Sequence, residues 1–384
     1  MIKQEINEIK KLFTPKNCSI TRICGCYVDG EKNKKTELSQ AFLALPEEEM
    51  FKYFEILRKA LSGSPGKNLL TLEFPLNSEY EGGTQEFLLR LKNSKLKDSA
   101  LLEEFYDRVI AGYEYVGNYL ILIIHDAYDV PGRTRDGIEM EDASDEVYEY
   151  ILACICPVNL SKPGLSYNAV ENTFQNRIRD WVVELPETGF LFPAFHDRSS
   201  DLHSTLYYSK DSEELKEAFV EQLLGCPLPL SAGGQKETFQ TLIEETLGET
   251  CDIEAVKNIH EKLNEMIEEH KEEPSPFLLD KKEVKTLLAD SGVANEKLEA
   301  FDERYDETAG EDASLYVSNV FNNRSFEVKT PDVVIKVKPE RTDLIETRTI
   351  NGRECLVIPL DGSVEVNGIT VRTSPADITE DSSL

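Results

Sequence analysis

Positive charge is scarce in this sequence of 384 residues, which has 42 Lys and Arg against 72 Asp and Glu and a formal net charge of −30. An acidic surface repels phosphate backbones and anionic lipids, so the composition argues against a general nucleic-acid or membrane-surface binder. Residues 1–35 carry eight Lys or Arg against four Asp or Glu, and residues 326–372 carry seven against eight. The acidity therefore lies in residues 36–325, and contact with a polyanion is expected, if anywhere, at the two ends.

Long hydrophobic runs are also missing. The longest run, residues 119–124, is far shorter than the roughly 20 residues that a membrane helix needs. Residues 1–6 hold no apolar core of signal-peptide length. These absences predict a cytoplasmic protein without a membrane partner, in which the eight cysteines are free thiols.

Signatures of common nucleotide-binding and hydrolase folds are absent as well. The sequence has no G-x-x-x-x-G-K-[ST], G-x-G-x-x-G, G-x-S-x-G or H-E-x-x-H motif. The pair Gly233 and Gly234 precedes a helix predicted at 237–247, where it would either bind an anion or simply make the turn into the helix. We predict no cofactor, and the sequence favours a binding protein over an enzyme.

Two C-x-C pairs stand out among the cysteines, Cys24 with Cys26 and Cys154 with Cys156. On a strand this spacing places both thiols on one face, because strands repeat every two residues. Such a pair suits core packing. It is also compatible with a thiolate zinc site, although structural zinc sites usually show C-x₂₋₄-C spacing. We assign no metal to them.

Apolar periodicity predicts an α+β fold with mixed, mainly antiparallel sheets, a helical segment and a small C-terminal β unit. The apolar stretch 118–127 predicts a strand at the centre of a sheet. Short turns between consecutive strands indicate antiparallel pairing. These strands are predicted at 147–158, 164–174, 180–184 and 206–208. Residues 129–144, rich in Asp, Gly and Pro, are predicted to form a loop.

Caps and turns organise the second half of the chain. Asp252 and Asn295 are predicted N-caps, and Asp280 with Glu283 has the spacing of a capping box. Asn-Gly or Asp-Gly pairs at 351–352, 361–362 and 367–368 predict hairpin turns. We divide the chain into a mixed α/β unit at 1–144, a β-rich middle at 145–210, a helical segment at 211–310, a C-terminal β unit at 311–372 and a disordered tail at 373–384.

The densest polar cluster lies within residues 196–203 and holds His196, Asp197, Asp201 and His203. Two histidines and two carboxylates in eight residues are able to ligate a metal or assist hydrolysis. The same composition is typical of a polar loop between two strands. His125 follows the apolar strand, where α/β proteins often place chemistry, but a lone histidine there is more often a hydrogen-bonded structural residue.

Basic residues near the two ends are the candidates for nucleic-acid contact. They are Lys10, Lys11, Lys16 and Arg22 in the N-terminal part, and Lys336, Lys338 and Arg341 in the C-terminal part. The predicted helices 281–290 and 296–308 have helix-turn-helix-like lengths. Residues 296–307 hold six acids against two bases, however, which predicts a plain helical hairpin.

Five stretches carry a family resemblance that covers nearly the whole chain. They are residues 20–32, 81–90, 156–167, 177–181 and 227–239. Together they resemble an uncharacterised bacterial family, domain of unknown function 4317, and the resemblance implies no activity. The order of elements over 118–370 is similar to that of bacterial nucleoid-associated proteins, which implies association with the nucleoid.

Three functions are compatible with these features. The first is a non-enzymatic binding protein whose partner is a protein or nucleoid DNA. The second is a metal-assisted phosphoester hydrolase that uses residues 196–203. The third is an acidic mimic of nucleic acid that occupies a basic partner. Neither the partner nor the oligomeric state follows from the sequence.

Overall fold

The computed structural model describes residues 1–133, 139–311, 313–322, 324–360 and 364–371, with side chains described except at 133, 139–145, 250 and 371. The chain forms two compact units. The first comprises Met1–Phe239, Glu272–Leu278 and Ala313–Val320. The second comprises Gln240–Lys271 and the described residues of Leu279–Asp312 and Phe321–Leu384.

The first unit holds most of the strands and the longer packed helices. Its strands in chain order are β1 (Arg22–Val28), β2 (Lys34–Gln40), β3 (Leu69–Glu73), β4 (Asn118–Arg133), β5 (Glu139–Leu160), β6 (Leu165–Asn168), β7 (Thr173–Asn176), β8 (Trp181–Val183), β9 (Thr188–Phe192), β10 (Ala194–His196), β11 (Ser199–Asp201) and β12 (Ser204–Ser209). Its helices are α1 (Lys3–Lys11), α2 (Glu47–Ala60), α3 (Thr84–Asn93), α4 (Ser99–Gly112) and the short α5 (Glu217–Phe219), which continues as a π-helical turn at Val220–Leu224.

Eight of the described strands form one antiparallel sheet in the order β2-β1-β4-β5-β9-β12-β3, and β8 pairs with β5 beside this path. The most apolar strand, β4, lies inside the sheet, where both of its faces are covered. The predictions of a central strand at 118–127, of antiparallel pairing and of an α+β fold are confirmed. Strands from both sides of residue 144 share this sheet, and the proposed domain boundaries stay predictions.

A hydrophobic core covers each face of the sheet. On one face α1 and α2 pack Ile9, Phe54 and Leu57 against the sheet, and on the other α3 and α4 contribute Phe87 and Phe105. The cysteine pairs are separated by the sheet. Cys24 and Cys26 belong to the core of α3 and α4, and Cys154 and Cys156 belong to the core of α1 and α2. Burial raises the pKa of all four thiols, so core packing explains both pairs.

Two predicted segments differ in the structure. The prediction of a loop at 129–144 is wrong, because β4 continues to Arg133 and β5 begins at Glu139, while 134–138 lie outside the described residues. Register shifts at Val130, Pro131 and Gly132 accommodate the proline and glycine within the ladder. The predicted single strand at 164–174 is instead the β6–β7 hairpin, in which the Asn168 side chain accepts the Val170 N–H and turns the chain.

The remaining described elements are two short strands, six α-helices and three hairpins. They are α6 (Ala232–Leu247), α7 (Ile253–Glu269), β13 (Leu278–Leu279), α8 (Lys281–Asp290), α9 (Asn295–Leu298), α10 (Phe301–Thr308), β14 (Leu315–Tyr316), α11 (Val317–Val320), β15 (Phe326–Lys329), β16 (Val334–Val337), β17 (Glu346–Ile350), β18 (Arg353–Val357), β19 (Val364–Val366) and β20 (Ile369–Val371). Because α6 begins at Ala232, Gly233 and Gly234 lie inside the helix, and the predicted turn there is wrong.

Most predicted caps and turns of the second unit are confirmed. The Asp252 side chain accepts the Ala255 N–H at 2.8 Å, and Asp280 and Glu283 make both hydrogen bonds of the capping box. The predicted cap at Asn295 is wrong by one residue, since Ala294 is the N-cap of α9. The hairpin turns at 351–352 and 367–368 are present with positive φ at Asn and Gly. The predicted turn at 361–362 and the tail 373–384 lie outside the described residues.

Among the described residues, no helix combines the length and the apolar character needed to cross a membrane.

Candidate functional site

The predicted polar cluster at 196–203 divides into separate environments. His196 ends β10, and Asp197 and Arg198 form the turn into β11 with φ of 46° and 61°. His196 Nδ1 lies 3.7 Å from Glu5 Oε1, and His196 Nε2 lies 3.7 Å from Asp197 Oδ2. We call Glu5, His196 and Asp197 the His196 cluster. Glu5 was not predicted.

Helix α1 holds this turn at two points. Glu5 Oε2 accepts the N–H of Ile2 at 2.7 Å, and its Oε1 accepts the N–H of Asp197 at 2.9 Å. One helical turn later, the Glu8 carboxylate accepts hydrogen bonds from Arg198 Nη1 at 2.9 and 3.1 Å. Glu5 is only 7 % exposed, so its carboxylate has a fixed place beside the imidazole.

The other predicted members of the cluster lie apart from it. Asp201 Oδ1 accepts the N–H of His203 at 3.0 Å, and His203 Nδ1 lies 3.0 Å from Glu79 Oε1 on the surface. His125 lies within β4 and is fully buried. The structure therefore brings together His196 and Asp197 but gives Asp201, His203 and His125 other neighbours.

Hydrogen bonds account for much of the environment of His125 and of its neighbour Asp126. His125 Nδ1 is 2.9 Å from Thr21 Oγ1, and Asp126 accepts hydrogen bonds from the Tyr150 hydroxyl at 2.7 Å and from the Ala127 N–H at 2.8 Å. Burial lowers the pKa of His125 to about 4 and raises the pKa of Asp126. Among the described residues, His125 Nε2 has no hydrogen-bond partner, and Glu149 Oε2 lies 3.9 Å away. These contacts fit the structural interpretation of this histidine.

Several of the predicted nucleic-acid contacts are engaged within the chain. Lys10 Nζ donates to Ser62 Oγ at 2.6 Å, and Arg22 donates to Ser39 Oγ at 3.0 Å. In the second unit Lys336 lies 2.8 Å from Glu327, and Arg341 lies 3.0 Å from Asp343. Carboxylates beside these two cations reduce the positive potential that a phosphate would meet. Lys11, Lys16 and Lys338 are exposed.

A groove that the sequence did not predict lies between α2 and β8 in the first unit. Its volume is about 1110 Å³. Helix α2 lines one side and β8 with the two residues after it lines the other. The lining residues are Pro46, Glu48, Glu49, Lys52, Tyr53, Glu55, Ile56, Lys59, Leu120, Trp181, Val182, Val183, Glu184, Leu185 and Lys210.

The outer edge of β8 borders this groove. Ser161 N–H donates to Asp180 O and Glu184 N–H donates to Pro157 O, both at 2.8 Å, so even-numbered residues of this segment bond to β5. Backbone groups alternate in direction along an antiparallel strand, and those of Trp181 and Val183 therefore point away from β5. In the described residues β12 pairs with β9 as far as Ser209 and Thr188, and so does not reach β8.

An uncovered apolar face lies on the segment of chain that leads into β8. Residues 161–180, which we call the arm, contain the β6–β7 hairpin. Residues opposite each other in a hairpin share a face, so Leu165, Tyr167 and Phe174 lie together, with exposures of 77, 55 and 71 %. In β8 itself Trp181 is 56 % exposed. Contiguous exposed apolar residues of this kind mark interaction surfaces.

Comparisons with known proteins add a family and nothing on activity. No curated protein and no solved structure matches the chain, and the likeness to nucleoid-associated proteins gains no support. A family model described as "Domain of unknown function (DUF4317)" matches residues 1–369. The chain therefore belongs to this family, as the five stretches indicated.

Proposed function

We propose that this chain is a non-enzymatic binding protein that takes an extended, cationic segment of a partner protein into the groove beside β8. The uncovered outer edge of β8 carries the proposal. The cysteines are free thiols and five of them are buried, which supports a place in the reducing cytoplasm.

The edge of β8 suits an extended segment in particular. Trp181 and Val183 direct backbone N–H and C=O groups outward, and a partner strand would satisfy them by adding to the sheet. Natural sheets usually protect such an edge with charge, proline or a covering element. Here the edge consists of Trp181, Val182 and Val183 and opens onto the groove.

The lining of the groove favours alternating apolar and cationic side chains. A strand places every second side chain on the same face, and Tyr53, Ile56 and Leu185 offer apolar contacts to one set. Glu48, Glu49, Glu55 and Glu184 line the same groove beside Lys52, Lys59 and Lys210, which leaves one carboxylate in excess. These carboxylates would attract Lys or Arg of the other set. A second copy of this chain is disfavoured, because each copy carries a net charge of −30.

A matched pair of variants tests this mode of binding. The probe is a fluorescent peptide of about eight residues that alternates Val and Lys, a usual strand length, with a Val-Glu peptide as its control. Val183→Pro removes an outward N–H but no bond to β5, whereas Val183→Ala shortens the same side chain and keeps the N–H. We expect the Pro variant to bind the Val-Lys peptide about tenfold more weakly than the Ala variant, since one backbone hydrogen bond is lost.

Fluorescence anisotropy gives the affinities, and circular dichroism shows that both variants are folded. Equal binding of the Val-Lys and Val-Glu peptides would reject the cationic partner. Equal binding by the Pro and Ala variants would reject strand addition. Binding of a small apolar dye in place of either peptide would indicate a small-molecule groove and would contradict the proposal.

A further inference from the structure

We infer that Glu5, His196 and Asp197 form a binding site for a divalent first-row transition ion, and Zn²⁺ is the ion that we expect to bind there. The three side chains each offer one ligand atom, and these atoms lie within 4.8 Å of one another. Zinc–ligand bonds of about 2.0–2.1 Å place tetrahedral ligands about 3.3 Å apart. The 3.7 Å between His196 Nδ1 and Glu5 Oε1 therefore needs only a small closure around an ion, whereas the Asp197 carboxylate lies 3.7 Å from the other ring nitrogen.

The chain arranges two of the three ligands before any ion arrives. Glu5 is buried, and the N–H groups of Ile2 and Asp197 each bond to one of its oxygens. Each carboxylate oxygen has a second lone pair that remains for a metal. The ion pair of Arg198 with Glu8 fixes the turn that carries His196 against α1. A preorganised pair lowers the entropy cost of binding.

The geometry also assigns the ligand atoms. Glu5 approaches Nδ1 and Asp197 approaches Nε2, so one ion cannot use both contacts unchanged. Asp197 is 90 % exposed in its side chain and is free to rotate, whereas Glu5 is held. We assign His196 Nδ1 and Glu5 Oε1 as the fixed ligands, with the Asp197 carboxylate swinging in and water completing the shell from the exposed side.

The donor set selects the class of ion. Imidazole suits Zn²⁺, Co²⁺ and Ni²⁺, and a set of oxygens alone would suit Mg²⁺ or Ca²⁺. The two carboxylates balance the charge of a divalent ion, and a neutral imidazole adds none. Among the described residues, no cysteine sulfur lies within the group of ligand atoms that Glu5, His196 and Asp197 form.

Cobalt(II) is the probe, because its visible absorption reports coordination directly. The titration uses the full chain carrying Cys251→Ser, which removes an exposed thiol that would also bind cobalt. Two variants, His196→Ala and Asp197→Asn, remove proposed ligands, and Asn tolerates the positive φ of this turn. His203→Ala is the matched control, an exposed histidine beside Glu79 on the adjacent segment.

We expect His196→Ala to weaken cobalt binding by about 100-fold or more, since loss of even an outer partner of a metal ligand costs 10–100-fold. Asp197→Asn should weaken it less, His203→Ala should leave it unchanged, and Zn²⁺ but not Mg²⁺ should displace the cobalt. The site is rejected if the parent chain shows no cobalt spectrum at millimolar cobalt. It is also rejected if His203→Ala lowers the affinity as much as His196→Ala does.

Discussion

Two edges of the sheet in the first unit differ, that of β2 at one end of the strand order and that of β8, which pairs with β5 beside this order. Strand β2 presents charged residues, and Lys34 forms ion pairs with Glu103 and Asp107 of α4. Strand β8 presents Trp181, Val182 and Val183, all exposed. Charge on an edge strand discourages pairing with another chain. The sequence therefore protects the β2 margin with charge and leaves the β8 margin apolar and exposed.

Acid should lower the free energy of unfolding through the centre of the sheet rather than through either margin. This is the largest effect that we expect on stability. His125 of β4 is fully buried, and burial lowers its pKa to about 4 from an ordinary value of 6.5. Below pH 6.5 the unfolded chain binds the proton and the folded chain does not, so the free energy of unfolding falls as the pH drops from 6.5 towards 4. The total loss is about 3 kcal/mol.

Urea unfolding of the parent chain and of His125→Gln across this pH range measures the effect. Burial raises the pKa of Asp126, so Asp126 acts in the opposite sense at low pH, but it is present in both proteins and cancels in the difference. The difference in stability between the two proteins should shrink as the pH falls. A difference that is constant with pH would show that His125 does not titrate in this way.

Glycines beside the two margins should show the next largest effect. A Cβ at Gly189 of β9 would lie 2.4 Å from the carbonyl oxygen of Ala153, and a Cβ at Gly25 of β1 would lie 2.8 Å from that of Ile121. We expect Gly189→Ala to lower the free energy of unfolding by about 3 kcal/mol and Gly25→Ala by about 1–2 kcal/mol, as overpacking does. Gly164→Ala in the arm, with nothing within 4 Å, is the control. Equal urea midpoints for all three variants would contradict the close packing of β9 on β5.

Local signals in the sequence predicted the elements that depend on local chemistry. The capping box of Asp280 and Glu283, the Asn-Gly turns and the central strand β4 each rest on residues close together in the chain. Strand β2 was not predicted, because its residues are polar and its conformation comes from pairing with β1. Strand β9 was not predicted either, because Pro186 and Gly189 signal a turn. In the structure Gly189 is needed because the Ala153 carbonyl oxygen lies where a Cβ would be.

The two candidate sites depend on contacts between distant parts of the chain. Glu5 meets His196 only because α1 packs against the β10–β11 turn, and nothing near residue 196 signals a ligand at residue 5. Residues 196–203 did identify His196 and Asp197. The groove arises because β8 pairs with β5 beyond the end of β12. A strand at 180–184 was predicted, but its exposure follows from the topology of the sheet.

Exchanging the surface character of the margins should have the smallest effect on stability and still change association. Leu165→Ser with Phe174→Ser makes the arm polar, and Lys35→Val with Glu37→Val makes β2 apolar. All four side chains are exposed, so each double variant should change the free energy of unfolding by no more than about 0.5 kcal/mol per site.

Association of the two double variants is measured by sedimentation velocity and by binding of the Val-Lys peptide. The arm variant should lose affinity for the peptide, because the exposed apolar face of the segment that leads into β8 is gone. The β2 variant should self-associate through a margin that the natural sequence protects, at a salt concentration that screens the repulsion between two chains of net charge −30. If instead the β2 variant stays monomeric and the arm variant keeps its affinity, charge on β2 and apolar surface on the arm do not set the difference between the two margins.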